Sequence, residues 1–384
     1  MEAQPGWKSG KFGEALLPVW ELTAFATLSL CRGVQNLGER FVRYSATGTR
    51  QGTTLIRIAV SDSIALWVGK IRTGSPRALA RAITAVEDRT PESYELLRAL
   101  FPYSGRARVV GLTGAPGSGK STLADQLARE YRKRRQSVGI VAVDPTSPFT
   151  GGAILGDRIR MQRHHADAGI YIRSMATRGS LGGLASTTAD VVSVLDASGR
   201  DVVLIETVGV GQDEVDIVRL ADVTLVILVP GMGDDVQSIK AGIMEIADIF
   251  VINKSDREGA DRVEREVRAL QSTAPARGGD GAGRQSWTPP IVKTVASEGR
   301  GISELAVAIA QYEALLEGTE LGRERRIENW RTRLVEMLRA ELMQRVRRDY
   351  LTEAAAQELA TKIAAHECDP YTVLEEILGR LGGG

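Results

Sequence analysis

The stretch "ARVVGLTGAPGSGKSTLADQLARE", Ala107 to Glu130, decides the fold. It opens as a short β-branched run, passes through a glycine-rich turn and closes as an amphipathic helix. Within it "GAPGSGKST", Gly114 to Thr122, carries every fixed position of the G-x-x-x-x-G-K-[ST] pattern. A strand before and a helix after distinguish a phosphate-binding loop from a chance glycine-rich turn. Glycines at this spacing let backbone N–H groups curl around phosphate oxygens, and the helix N-terminus behind them favours negative charge. The candidate nucleotide contacts are Gly114, Ala115, Pro116, Gly117, Ser118, Gly119, Lys120, Ser121 and Thr122. In this motif the Lys120 amine reaches the β/γ-phosphates and the Ser121 hydroxyl is offered to Mg²⁺.

Working outward, apolar runs alternate with helical patterns. "SVGIVAV", "DVVLIETV", "VTLVILV", "DIFVINK" and "PIVKTVA" are short, β-branched and nearly continuous, as parallel strands buried on both faces are. The alternation predicts an α/β fold of the P-loop NTPase kind, with a doubly wound, mostly parallel sheet and helical N-terminal and C-terminal extensions. Ligands in such sheets bind beyond the carboxyl ends of the strands, where the remaining motifs fall. Upstream, Ser75–Pro76 and Thr90–Pro91 each set an N-cap and a first-position proline before an amphipathic run. Downstream, Ile327, Trp330, Leu334, Leu338, Leu342 and Val346 recur at three- and four-residue steps. Such a helix either packs on its own domain or forms a dimer seam. The chain divides into an extension of uncertain order (1–62), a helical module (63–106), the nucleotide domain (107–312) and a C-terminal helical region (313–384). "APARGGDGAGRQSWTPP", Ala274 to Pro290, reads as a surface loop.

Composition narrows the function. Of 384 residues 43% are apolar and 25% charged, and the net charge is +1. That balance lacks the basic stripe of a nucleic-acid binder. The two cysteines, Cys31 and Cys368, lie far apart and argue for a reducing compartment. The longest apolar candidate, from Leu16 to Cys31, is broken by Pro18 and Glu21, short of the ~18–20 residues of a spanning helix. The expectation is a cytoplasmic protein with no membrane and no nucleic-acid partner.

"NKSD", Asn253 to Asp256, ends the strand "DIFVI". Downstream of a phosphate loop it selects guanine: an Asp carboxylate pairs with ring N1–H and the exocyclic amine, which adenine cannot match. The Lys254 stem covers a ring face and Asn253 braces the loops. Backbone around Val295, Ala296 and Ser297 in "KTVASEGRG" fits the last base-side loop. GTP, rather than ATP, is thus the expected nucleotide, with GDP as product. Asp144 and Glu206 end strands on the phosphate side and Asp157 follows in a glycine-rich segment. With Ser121 they supply the oxygens a hard cation such as Mg²⁺ takes, directly or through water. Asp144 and Asp157 also read as turn or helix caps. Lys120, Asp144, Asp157 and Glu206 form the expected catalytic set.

Together "GAPGSGKST", "VDPTSPFTGGAILGDRIRM", "YIRSMATRGSLGGL", "ETVGVGQDE" and "NKSD" resemble the MeaB/ArgK-type G proteins, relatives of the methylmalonic aciduria type A protein. The likeness runs from about Gly69 to the C-terminus. It implies a homodimeric GTPase, paired through C-terminal helices, that serves an adenosylcobalamin-dependent acyl-CoA mutase, chiefly methylmalonyl-CoA mutase. In that family GTP binding and hydrolysis gate cofactor loading and protect or reactivate the mutase. The resemblance also implies that the segment from Pro230, with Asp234, Asp235 and Lys240, addresses the mutase. The N-terminal extension has no counterpart in the family pattern. Gln212, Arg158 and Arg178 are candidates for ordering water or stabilising the transition state. The rival readings are a kinase linked to arginine/ornithine transport, which "NKSD" opposes, a metallochaperone-type GTPase, for which the chain lacks a His- or Cys-rich metal motif, and a non-hydrolysing nucleotide sensor.

Overall fold

The computed structural model describes residues 41–43, 55–57, 61–144, 167–176, 183–207, 220–231, 246–273 and 287–382. The chain separates into two units, residues 1–65 and 66–384. In the first, β1 (Phe41–Arg43) and β2 (Leu55–Arg57) pair antiparallel, with Phe41 opposite Arg57.

The nearly continuous apolar runs become strands, buried on both faces in the middle of the sheet and only half-buried in the last of them, at one edge, where Lys293 is exposed. They are β3 (Arg108–Gly114), β4 (Val138–Asp144), β5 (Ile170–Ala176), β6 (Val202–Glu206), β7 (Val223–Leu228), β8 (Ile249–Ile252) and β9 (Ile291–Lys293). Among the described residues they form one seven-stranded sheet in the order β5-β4-β6-β3-β7-β8-β9, with every pairing parallel. Alternation within β7 shows the two faces. Val223, Leu225 and Ile227 join a core with Leu123 and Leu127 of α4 (Lys120–Lys133) and Leu305 and Ile309 of α7 (Ile302–Leu316). Val226 and Leu228 join Phe250, Val263 and Val267 on the other face, under α6 (Ala260–Thr273). One strand escapes the apolar-run reading: β5, at the sheet edge. Tyr171, Arg173 and Ser174 are only half-buried there, so its pattern is mixed rather than apolar.

α1 (Asp62–Arg72) precedes α2 (Pro76–Glu87) and α3 (Pro91–Leu100). The Ser75 hydroxyl caps α2 by accepting from the Ala78 N–H, and Leu79, Ile83 and Val86 are buried. Thr90 occupies the cap position of α3 without a side-chain cap bond; Ser93 Oγ donates to the Thr90 carbonyl at 2.7 Å instead. α2 packs on α5 (Gly183–Ala197), and its Glu87 pairs with Arg173 of the edge strand.

The C-terminal region comprises α8 (Glu320–Asp349), α9 (Glu353–Ala364) and α10 (Pro370–Gly382). α8 is tied to its own domain mainly by polar contacts. Arg325 reaches Asp248 at 2.6 and 2.9 Å, and Arg333 reaches Asp190 and Ser193 at 3.0 Å. Trp330 meets Phe101 edge to face at 5.6 Å. Ile327, Trp330, Leu334, Leu338, Leu342 and Met343 nevertheless remain exposed.

The Arg325–Asp248 pair gives a first prediction. Asp248 is fully buried and also accepts from Thr224 N–H at 2.8 Å. Removing the cation leaves a buried carboxylate short of charge, so Arg325→Met costs about 3 kcal/mol, read as a lower urea midpoint. A second prediction concerns Glu313, paired with Arg108 at 3.3 Å. Burial pushes its carboxyl from an ordinary 4.5 up to about 7, against the pull of Arg108. The folded state holds that proton more tightly, so the contribution is full below about 4.5 and is lost as pH rises through about 7. Unfolding at pH 5 and pH 8 should show a loss on the order of 1–2 kcal/mol at this group after allowing for screening. Glu313→Gln removes that part of the pH dependence.

Candidate functional site

At the carboxyl ends of β3, β6 and β8 the polar groups converge. β3 ends at Gly114, whose φ is +146°, and a Cβ there would lie 2.3 Å from the Ile227 carbonyl oxygen. Only a residue without a side chain lets β3 run this close to β7 and turn into the loop. The loop closes with the Ser118 N–H donating to the Ala115 carbonyl at 3.1 Å. α4 then starts at Lys120, leaving the backbone N–H groups of its first turn at the loop. Lys120 is buried, and its amine donates to the carbonyls of Gly114 (2.6 Å) and Ala115 (3.0 Å). The Ser121 hydroxyl donates to Glu206 Oε1 at 2.5 Å. Glu206 ends β6, is itself buried, and stands in register beside Leu112 of β3 and Ala142 of β4. Thr207, the next residue, anchors its N–H and hydroxyl on the Leu112 carbonyl, both at 3.2 Å.

Asn253, at the end of β8, joins two loops. Its Nδ2 donates to the Ser118 carbonyl at 2.8 Å, while its Oδ1 accepts from the Thr294 hydroxyl and the Ala296 N–H at 3.1 Å each. Gly119 makes that approach possible: its φ is +93°, and a Cβ there would lie 2.4 Å from Asn253 Nδ2. Lys254 adopts a left-handed backbone, φ +54°, and its amine donates to the Gly117 carbonyl at 2.7 Å. A non-glycine residue in that region costs of order 1 kcal/mol or more and persists only where its surroundings hold it. Asp256 is exposed, Val295 and Ala296 are buried, and Ser297 is exposed on the 3-10 turn Ala296–Glu298.

The structure thus brings together Gly114 to Thr122, Glu206, Asn253, Lys254 and the turn at Val295–Ser297. Asp144 ends β4, in register with Ala176, and is described by its backbone alone. Asp157, Arg158, Arg178, Gly209, Gly211, Gln212, Asp234, Asp235 and Lys240 lie outside the described residues. Two contributors escape motif reading. Thr294 holds the Asn253 amide, and Thr207 pins the end of β6. A threonine at a strand end is too common a signal to single out either.

The donor chemistry fits a polyphosphate with a hard cation. A glycine-lined turn, a helix N-terminus and a buried ammonium face anionic oxygens well. A hydroxyl held against a carboxylate is the oxygen set Mg²⁺ takes.

The family described as methylmalonyl-CoA mutase-associated GTPase MeaB matches residues 79–350. A Pyrococcus abyssi protein named as a GTPase is 47% identical over 317 residues, covering 83% of this chain and 96% of its own. The mouse protein named methylmalonic aciduria type A homolog, mitochondrial, is 32% identical over 294 residues, covering 71% of this chain and 68% of its own. Among solved structures, one described as LAO/AO transport system kinase superposes with a TM-score of 0.61 at 26% identity, covering 84% of this chain and 99% of that one.

Because Asn253 ties both loops through three hydrogen bonds, Asn253→Ala should weaken binding of a fluorescent GDP at least tenfold, about 1.4 kcal/mol. Gly119→Ala should do the same by pushing Asn253 away. Equilibrium titration of both variants against the parent checks this.

Proposed function

The chain belongs to the MeaB family of methylmalonyl-CoA mutase-associated GTPases, and from that premise we propose that its GTP cycle serves as a chaperone of an adenosylcobalamin-dependent acyl-CoA mutase. It binds guanine nucleotide and hydrolyses GTP, as its family does. The finer reading names methylmalonyl-CoA mutase as the partner and the gating of cofactor loading as the task, with protection or reactivation of the mutase alongside. The family's association with methylmalonyl-CoA mutase supports the partner. The observation that carries the switch is the contact of Ser121 with Glu206, because Glu206 stands at the end of β6 where the chain leaves the sheet into "TVGVGQ".

In this reading the amides of Gly114 to Thr122 and the Lys120 amine hold the β/γ-phosphates. The Lys120 contacts to Gly114 and Ala115 keep the amine at the loop until phosphate oxygens replace those carbonyls. Ser121, Glu206, Asp144 and Asp157 would hold Mg²⁺, directly or through water. When bound, Mg²⁺ neutralises charge on the β/γ oxygens. Water attacks the γ-phosphorus, the bond to the β–γ bridging oxygen breaks, and GDP and phosphate leave. Lys120 and the loop amides stabilise the charge that develops. Asp256 reads the guanine N1–H and amine, the Lys254 stem covers a ring face, Asn253 braces, and backbone at Val295–Ser297 meets the guanine oxygen. The exposed apolar row on α8 supports a homodimer paired through the C-terminal helices. The segment from Pro230, with Asp234, Asp235 and Lys240, addresses the mutase. The setting is cytoplasmic, with neither nucleic acid nor membrane as partner; no helix among the described residues is long and apolar enough to cross a membrane.

The test is co-elution of the purified chain with methylmalonyl-CoA mutase in GDP, in a non-hydrolysable GTP analogue and without nucleotide. The expected result is an association that changes with nucleotide and loses that response in Lys120→Ala. Failure to associate with such a mutase in every nucleotide state would overturn the partner assignment.

A further inference from the structure

The amino-terminal ends of the same strands form a second polar surface. A pocket of about 390 Å³ opens there, lined by Arg72, Tyr103, Arg106, Arg108, Gln136 and Arg200, with Asp196 and Asp201 in its wall. Its size falls within the range of small-molecule sites. It lies one strand length from the phosphate loop: β3 begins at Arg108 and ends at Gly114, about 20 Å apart.

Both carboxylates accept from backbone, and the Asp201 charge also acts on Arg200. Asp196, itself buried, accepts from the N–H groups of Gly105, Arg106 (3.1 Å) and Ala107 (2.8 Å), so it fixes the turn that carries Arg106 and leads into Arg108. Asp201 accepts from the Ser137 N–H at 2.7 Å and its hydroxyl at 2.8 Å. Among the described residues neither forms an ion pair with a pocket arginine. Arg106 is exposed and forms no ion pair among the described residues. The Arg72 guanidinium carbon sits 3.8 Å from the Tyr103 ring centroid, a contact that holds the guanidinium in place. Arg200 is half-buried, with Nη1 donating to the Ala168 carbonyl at 3.3 Å. Burial and the nearby Arg132 hold its guanidinium below the ordinary range. Arg108 has Glu313 as a partner, but near neutral pH that carboxyl is only partly ionised.

Four guanidinium groups line one concavity, so a bound anion would meet donors on several sides. Planar, multidentate guanidinium donors match phosphate oxygens better than they match halides or water. We propose that this pocket is a second anion site, taking a small phosphorylated ligand through Arg72, Arg106, Arg108 and Arg200, separate from the nucleotide bound at Gly114–Thr122.

Inorganic pyrophosphate is the probe, titrated calorimetrically into the full-length protein in excess GDP so that the phosphate loop is filled. Saturable binding is expected. It should weaken at least tenfold in Arg106→Ala and in Arg72→Ala, be abolished in Arg106→Glu, and survive largely in Arg106→Lys. Arg106 is exposed and remote from the nucleotide, so Arg106→Ala should leave the GTPase rate and the urea midpoint unchanged. Lys120→Ala, which removes the phosphate-loop amine, should keep pyrophosphate binding. No binding in excess GDP, binding lost in Lys120→Ala, or binding indifferent to the arginine substitutions would each overturn the proposal.

Discussion

A sheet buried on both faces governs where this protein can carry out chemistry. Val110, Leu112, Ile140, Leu204, Leu225 and Val251 are fully buried, and parallel strands under helices leave no water-exposed face for polar groups. On the interior strands, polar side chains gather where strands stop. At the carboxyl ends lie a buried ammonium, a carboxylate and a carboxamide. At the amino-terminal ends lie arginines and aspartates. The two surfaces share strands but not residues, so each can be altered without rebuilding the other.

The nucleotide end depends on a single carboxamide more than on any charge. Asn253 binds the phosphate loop through its amine and the base-side turn through its oxygen. Lys254 reinforces the link by reaching Gly117 from a strained backbone. In the proposed reading, the two halves of a nucleotide would meet loops whose spacing is already set. Binding there would spend little on ordering those loops.

Much of this was legible in the residues themselves. Continuous β-branched runs predict buried parallel strands; β3, β6, β7 and β8 fall within theirs, β4 overruns its own by Asp144, and β9 lies in its run but is half-buried at the sheet edge. β5 was hidden because an edge strand mixes half-buried Tyr171 and Arg173 with apolar neighbours. The phosphate loop and "NKSD" show their spacing openly, since each is local. Thr294 and the Arg325–Asp248 pair do not: the latter joins residues 77 positions apart. The arginine pocket was equally hidden, because Arg72 and Arg200 become neighbours only through the fold. For α8 the sequence left two readings open, packing on its own domain or a dimer seam, and the structure shows the first. Its charged side chains fasten it to its own domain while its apolar row stays exposed.

The close approach of Gly119 to Asn253 reaches into how such a chain can drift over generations. A hydrogen is all that position 119 can carry while position 253 keeps its amide, since a methyl would sit 2.4 Å from that nitrogen. Neither position can change alone without harm. A change at 119 is thereby felt at the end of β8, 134 residues later in the chain.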